Sequence, residues 1–415
     1  MRIAIVGAGI SGLSAAYFLS RAHTVTLFEA SSRLGGHAHT HDVELGGRRW
    51  PVDTGFMVFN DRTYPQFVRL LAELGVDSRA SDMSFSVRCR RCRLEYSSIG
   101  VDGLFAQRGR LLSGGHWRLL ADIQKFFRRG RRALETGGES RSLGQFLDEG
   151  GFGEELARHF VLPMGGAIWS ASTADLRAFP VASYLRFMAN HGLLAAAGQP
   201  QWRTILGGSR VYVEKIAARL GTAVRAGTPV LAVTRHDRGV TIRLVDGTVT
   251  EHDAVVLATH ADQALALLAD PSPHERDALG RFRYSTNDTF LHSDDRLLPD
   301  EPYARASWNC DLDDCRDERS PVSVTYDLNR LQGHRPGRAL LCSLNPLETI
   351  GGDVIARMSY AHPILDGPAI EGQSLISRMN GERRTWYCGA HLRFGFHEDG
   401  LVSAVAVARG LGVEP

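Results

Sequence analysis

Two rhythms of apolar residues run through this chain. One is the unbroken run Ile3-Ala4-Ile5-Val6, which ends at Gly7-Ala8-Gly9-Ile10-Ser11-Gly12 and gives way to helical spacing from Leu13 to Arg21. A short apolar run before a glycine turn predicts a strand buried on both faces, then a helix. Thr24-Val25-Thr26-Leu27-Phe28 predicts a second strand, ending at Glu29. The other rhythm is helical: Phe67, Leu70, Leu71 and Leu74 share one face of a helix predicted between Asn60 and Gly75, after a turn. Residues 82–96 alternate like a strand pair. In 116–134, HWRLLADIQKFFRRGRRAL, Leu120, Ile123, Phe127 and Leu134 fall on one face, with Arg118, Lys125, Arg129 and Arg132 opposite.

Residues 137–145, rich in Gly, Ser and acid, read as a linker, and a mostly helical stretch follows. Its Trp169, Tyr184 and Phe187, with Trp202, either line an apolar channel or pack a core. Strands are predicted at 224–225, 230–236 and 240–245, with Asp246-Gly247 as a hairpin turn. The apolar run 253–259 predicts a buried strand. Further strands fall around 289–292, 322–326 and 339–344, and a small-residue helix ends the chain. The clusters SWN at 307–309, TYDLNRLQ at 325–332, LNP at 344–346 and YAHP at 360–363 carry no catalytic spacing of their own.

The glycines give the first strand and helix a chemistry. Gly7 permits the tight turn, Gly9 lets backbone N–H groups approach a pyrophosphate, and Gly12 lets helix pack on strand, with the helix N-terminus facing the anion. Glu29, about 20 residues on, suits a ribose hydroxyl pair. The unit is one that binds a dinucleotide.

Residues 29–40, EASSRLGGHAHT, and 53–56, DTGF, resemble the fingerprints of the FAD-dependent amine oxidase superfamily, as do GGSRVYVEKIAARL from Gly207 and GFHEDG at 395–400. Nearly end to end, the chain resembles a bacterial family of NAD/FAD-binding proteins within that superfamily, associated with fatty-acid modification. The resemblance implies an α/β fold in which a Rossmann-like FAD-binding domain of the amine-oxidase type (1–60, 205–265 and 381–415) is interleaved with an α+β substrate-binding domain (61–204 and 266–380). FAD is the implied cofactor. Carried over residue by residue, Gly7, Gly9, Ile10, Ser11 and Gly12 form the phosphate turn; Glu29, Ala30 and Arg33 hold the ribose end; Gly35, Gly36 and His37 pass the pyrophosphate. Thr54 and Gly55 lie beside the flavin, the Val230 backbone meets the adenine, and Ala258, Thr259 and Gly389 carry strand ends past the cofactor. Asp399, Gly400 and Leu401 open a helix whose N-terminus, at Gly400 to Ser403, faces the flavin's polar edge. His37 stands where the superfamily usually has arginine, and Ala390 where many relatives carry an acid. Neither lysine of the chain, Lys125 or Lys215, lies in a segment suited to the lysine that many amine oxidases hold near flavin N5.

Composition narrows the class. A net charge of +2 with 43% hydrophobic and 23% charged residues is that of an ordinary globular protein and does not point to nucleic acid. The first strand begins at residue 2, and no apolar run reaches about 18 residues, so neither a signal peptide nor a membrane span is expected and the expected location is cytoplasmic. The basic amphipathic stretch 116–134 allows peripheral contact with an anionic membrane, or simply a helix with its apolar face in the core. Cys89 and Cys92 form a CxxC that suits half a zinc site or a redox pair. Cys310 and Cys315 are wrongly spaced for the other half, so the six cysteines are expected to be free thiols and no metal is expected. His37, His39 and His41 are read as cofactor packing rather than a metal cluster.

The expected reaction is hydride transfer between an apolar, fatty-acyl substrate and flavin N5, as a desaturase or dehydrogenase. His397 and Glu398 are the candidate acid/base groups, because the C-terminal motif should run beside the flavin, with Tyr64 behind them. The alternatives are a fatty-acid double-bond isomerase, an amine oxidase, and a flavin-binding partner of a lipid-modifying enzyme.

Overall fold

The structure, a computed structural model, describes residues 1–195, 198–317, 319 and 322–415. Its centre is a five-stranded parallel sheet in the order Val224–Arg225, Thr24–Phe28, Arg2–Val6, Ala254–Leu257, Thr385–Tyr387. Ile3, Ile5, Leu27, Val255 and Val256 are fully buried, as continuous apolar runs require of strands covered on both faces. From Arg2–Val6 the chain pairs first on one side and later on the other. The resulting crevice at the carboxyl ends of the strands is where an open parallel sheet binds ligands.

The helix Ile10–Leu19 covers one face and is crossed closely by the last helix, His397–Gly410. Gly400 makes the crossing possible, since a Cβ there would lie 2.7 Å from Ser11 Oγ and 2.8 Å from Ile10 Cγ2. The last helix therefore starts three residues before the expected position. Phe396 is its extended N-cap, and Gly400 lies inside it rather than at its start.

A seven-stranded sheet stands beside the first, in the order Val354–Ile364, Arg283–His292, Leu341–Leu344, Ser323–Asp327, Trp308–Leu312, Phe85–Cys89, Leu94–Ser97. All its pairs are antiparallel except that between Trp308–Leu312 and Phe85–Cys89. Helices from Gly114 to Asn190 pack against it. The expected linker at 137–145 is shorter than its sequence suggests, because Ser142 caps a helix, Leu143–Glu149, that begins within it.

The long helix Gly114–Thr136 buries Leu119, Ile123, Phe126, Phe127 and Gly130. Leu120 and Leu134, expected on the inner face, sit at its edges. Its apolar face is thus in the core, where each fully buried large side chain contributes about 1.5–3 kcal/mol, and is not free to enter a bilayer. No described helix is long and apolar enough to cross a membrane.

Candidate active site

A cavity of about 780 Å³ opens at the carboxyl ends of the parallel strands and continues between the two main sheets. Residues just beyond each of four strands line one end: Gly7, Glu29, Ala258 and Gly389. Gly9, Ile10, Ser11, Ala30, Gly36, His37, Thr54, Gly55, Val230 and Thr259 complete that end. Aromatic residues wall the other. Phe187 stacks on His191 at 3.9 Å and on Phe396 at 4.7 Å, His191 lies over Trp202, and Trp308 meets Tyr326 edge to face at 4.8 Å. Of the four aromatics singled out in the sequence, Trp169, Phe187 and Trp202 line the cavity; Tyr184 is fully buried, its hydroxyl donating to the Val161 carbonyl.

The glycine turn shows what it is built to admit. Gly7 has φ +99, and a Cβ at Gly12 would lie 1.8 Å from the Gly7 carbonyl oxygen, so both serve the fold. Gly9 is different. Its φ of −72 suits any residue, and a Cβ there would meet nothing within 4 Å. A glycine that neither backbone nor packing demands fits a site where another molecule comes close. His37 tells the same story, since it lines the cavity and its Nε2 is buried without a partner. A pyrophosphate would give that nitrogen an acceptor, and the residues fit FAD.

Other expected cofactor residues shape the site from behind. Arg33 donates to the carbonyls of Leu34, Gly36 and Ala38, pinning its own loop instead of facing a ribose. Gly35, at φ +107, donates its N–H to the Ala8 carbonyl and ties that loop to the glycine turn. Asp399 accepts from the Phe396 N–H at its helix start, and Leu401 is fully buried. None of these four lines the cavity, nor do Gly12 and Gly400.

The two candidate acid/base groups separate. His397 lines the cavity; its Nε2 lies 2.7 Å from the Tyr212 hydroxyl and its ring stacks on Phe56 at 3.7 Å. Burial pushes its pKa down to about 3, so the ring is neutral at pH 7 and holds no proton to give as an imidazolium. Glu398 turns away. Its oxygens accept from the N–H groups of Gln66 and Phe67, each at 2.9 Å, closing the first turn of the helix Pro65–Leu74. Glu398 is a helix cap in this fold and does not face the cavity. Glu398→Gln is expected to turn one acceptor into a donor facing those N–H groups and to cost about 1–2 kcal/mol. Thermal unfolding should show a lower midpoint while turnover per bound flavin stays unchanged. Tyr64 also lines the cavity, with burial raising its pKa far above the useful range.

Sequence reading missed three groups. His260 and His362 join His37 along the cavity, with ring centroids 6.3 and 5.3 Å from it. His362 comes from YAHP on the outer strand Val354–Ile364 and accepts from Asn287 Nδ2, which places the proton of the neutral ring on Nε2. Tyr360, of the same motif, bonds His39 Nδ1 and Thr54 Oγ1 at 2.9 Å each. Asp53 is the third group. Fully buried, it accepts from Ser209 N–H and Oγ and from Thr40 Oγ1, and so clamps the DTGF turn to the GGSR turn 156 residues away. Neither lysine reaches the cavity: Lys125 donates to the Gly151 carbonyl, Lys215 to those of Leu74 and Gly75.

Residues 10–301 match the family of flavin containing amine oxidoreductases, more than half of the chain. The chain is 29% identical over 297 residues to a coproporphyrinogen III oxidase of Mycobacterium leprae (strain TN), covering 67% of this chain and 63% of that protein. The match thus spans less than two thirds of that relative's length. Among solved structures, the fold is similar to that of the CLA-producing fatty acid isomerase from P. acnes, with a TM-score of 0.64, 18% identity and 98% of each chain covered. It is similar also to putrescine oxidase bound to putrescine, with a TM-score of 0.72, 15% identity and 99% of each chain covered. The chain belongs to the family of flavin-containing amine oxidoreductases.

Proposed function

We propose that this enzyme oxidises an uncharged, elongated apolar substrate, a fatty-acyl chain, introducing a double bond. One observation carries the reading: among the described residues lining the cavity, Glu29 is the only Asp, Glu, Lys or Arg, and it sits at the cofactor end. The remainder is mostly aromatic and aliphatic side chains with neutral histidines, together with a few uncharged hydroxyls and the Gln263 amide. Such walls exclude water and hold an alkyl chain, and offer no carboxylate to a second amine and no guanidinium to a cluster of carboxylates. A porphyrinogen, which carries several carboxylates, therefore suits the cavity poorly, as does a diamine. The same lack of cations leaves a free fatty-acid carboxylate without a partner inside, so the acyl head remains at the mouth or is esterified.

Bound FAD would supply the two-electron acceptor for the hydride. The chain's own residues position. Phe187, His191, Trp202 and Phe396 form a continuous stacked wall for the chain, and Tyr212 fixes the His397 ring so that Nδ1 is the nitrogen left to a cavity ligand. In this reading His397, neutral with a pKa of about 3, steers and hydrogen-bonds, and the proton lost from the neighbouring carbon leaves to water at the cavity mouth. We also propose the two-unit division at 1–60, 205–265 and 381–415 against 61–204 and 266–380.

The near-complete structural overlap with a fatty acid isomerase supports a second reading, a double-bond shift with no net oxidation. Incubation with unsaturated and methyl-branched fatty acids, their esters and a panel of amines distinguishes the readings. A new double bond in the ester, with an electron acceptor consumed, supports the desaturase. A moved double bond without an acceptor supports the isomerase, and peroxide released on amines alone overturns both.

A further inference from the structure

The cysteines that looked like scattered thiols converge. Phe85–Cys89 and Leu94–Ser97 form a hairpin in which Cys89 pairs with Leu94, and the turn between them carries Cys92, followed by Arg93 at φ +49. The strand Trp308–Leu312 runs parallel to the first arm, with Leu312 opposite Cys89. Its continuation is held to the hairpin turn by the N–H groups of Arg90 and Arg91, which donate to the carbonyls of Leu312 and Asp313 at 2.9 and 3.1 Å. That anchoring brings Cys315 Sγ to 3.5 Å from Cys92 Sγ. From the helical layer, the turn Ala157–Val161 presents His159, whose carbonyl accepts from the Tyr96 hydroxyl on the second arm at 2.7 Å.

We propose that Cys89, Cys92, His159 and Cys315 bind a structural zinc ion. One ligating atom from each of the four lies within 4.8 Å of all the others. Tetrahedral zinc, with about 2.3 Å to sulfur and about 2.0–2.1 Å to nitrogen, sets its ligand atoms about 3.5–3.8 Å apart, so a small contraction closes the set. Three thiolates and an imidazole are zinc ligands by hardness and geometry. Four protein ligands leave no open position, and none of the four lines the cavity, so the ion is a staple and not part of the catalytic machinery.

The surroundings match. His159 is 1% exposed, and its Nε2 is buried without a partner. Its Nδ1 sits 2.6 Å from Glu155 Oε2, an ion-pair distance off the line of a hydrogen bond, where a carboxylate would orient the ring as in many zinc sites. Three thiolates, one neutral imidazole and Zn²⁺ leave one net negative charge, and each thiol releases its proton to solvent on binding. Arginine is abundant around that charge: Arg90 and Arg91, paired with Asp311 and Asp314, lie between the two cysteines, Arg93 follows Cys92, and Arg110 donates to the carbonyls of Cys92 and Arg93. A Cys92–Cys315 disulfide is the competing use of the same atoms, and it would leave Cys89 and His159 unpartnered.

The test uses the purified flavoprotein kept reduced. Elemental analysis is expected to find one zinc per chain, and exchange with Co²⁺ to give the visible bands of tetrahedral cobalt with thiolate charge-transfer absorption. Cys92→Ser and Cys315→Ser should each abolish the zinc and the cobalt bands and lower the unfolding midpoint, while flavin content is retained. Should either variant fail to fold, the cobalt spectrum of the natural chain still decides. Reduced protein that carries no zinc and gains no cobalt bands overturns the proposal, as does a Cys92–Cys315 disulfide found by peptide mapping of freshly prepared protein.

Discussion

Gly9→Ala is expected to give a folded protein that has lost its colour. The new methyl group meets no atom of the chain within 4 Å, and φ at this position is one that alanine adopts freely. Alanine is a poorer helix N-cap than glycine, so the flavin-free protein should lose about 1 kcal/mol, a small drop in its unfolding midpoint that leaves it folded. The methyl group instead occupies the space through which a pyrophosphate approaches the backbone. Overpacking of about 1–3 kcal/mol corresponds to a loss of about five- to 150-fold in FAD affinity. Gly12→Ala is the contrasting control. Its Cβ would collide with the Gly7 carbonyl oxygen at 1.8 Å, so it should lose both stability and flavin. Equilibrium FAD titration with thermal unfolding on both variants checks this. Full flavin occupancy in Gly9→Ala at the natural affinity would show that the cofactor does not pass this turn.

A second large effect concerns pH. Burial lowers the pKa of His362 to about 4, of His391 and His397 to about 3, and of His37 far below its usual value. In the unfolded chain each titrates near 6.5, so below that pH the unfolded state binds more protons and the fold loses stability, by about 1.4 kcal/mol per pH unit for each proton of difference. Buried carboxyls oppose the trend. Burial raises Asp53 and Asp399 to about 6, so the native state takes up their protons between about 6 and the usual carboxylate range, which stabilises it as pH falls. The lowered histidines, which also include His39, His191, His292 and His334 at about 4, outnumber the raised carboxyls, which also include Asp327 and Glu398. The flavin-free protein should lose several kcal/mol between pH 7 and pH 5, as measured by denaturant unfolding across that range. With FAD bound the slope should be shallower, because a pyrophosphate beside His37 favours its protonated form. A midpoint that rises on acidification would contradict this balance.

The parts of the fold legible in the sequence are those whose pattern is local. The buried central strand reads as an unbroken apolar run, which locates Arg2–Val6, the β-branched stretch before Glu29 locates Thr24–Phe28, and the spacing of Phe67, Leu70, Leu71 and Leu74 locates the inner face of Pro65–Leu74. The phosphate turn was legible because its glycines answer to steric needs that a motif records. What escaped depends on partners far along the chain. Glu398 looked catalytic until Gln66 and Phe67, over 330 residues away, claimed its oxygens. Asp53 pairs with Ser209, and His362 reaches the cavity only because its strand lies at the edge of a sheet whose order is not that of the sequence. Gly400 was misplaced as a helix start because glycine usually marks a boundary, whereas here it makes room for Ser11 and Ile10. Nor does a sequence show burial, which moves His397 from a useful proton carrier to a neutral ring.

The most direct test of the proposed chemistry is the anaerobic mixing of the FAD-bound enzyme with an acyl ester, bearing hydrogen or deuterium along the chain, while the visible flavin absorption is followed. Bleaching that is slowed by deuterium and accompanied by a new double bond is the predicted result. A flavin that stays oxidised with every acyl chain, and is bleached by an amine, would contradict it.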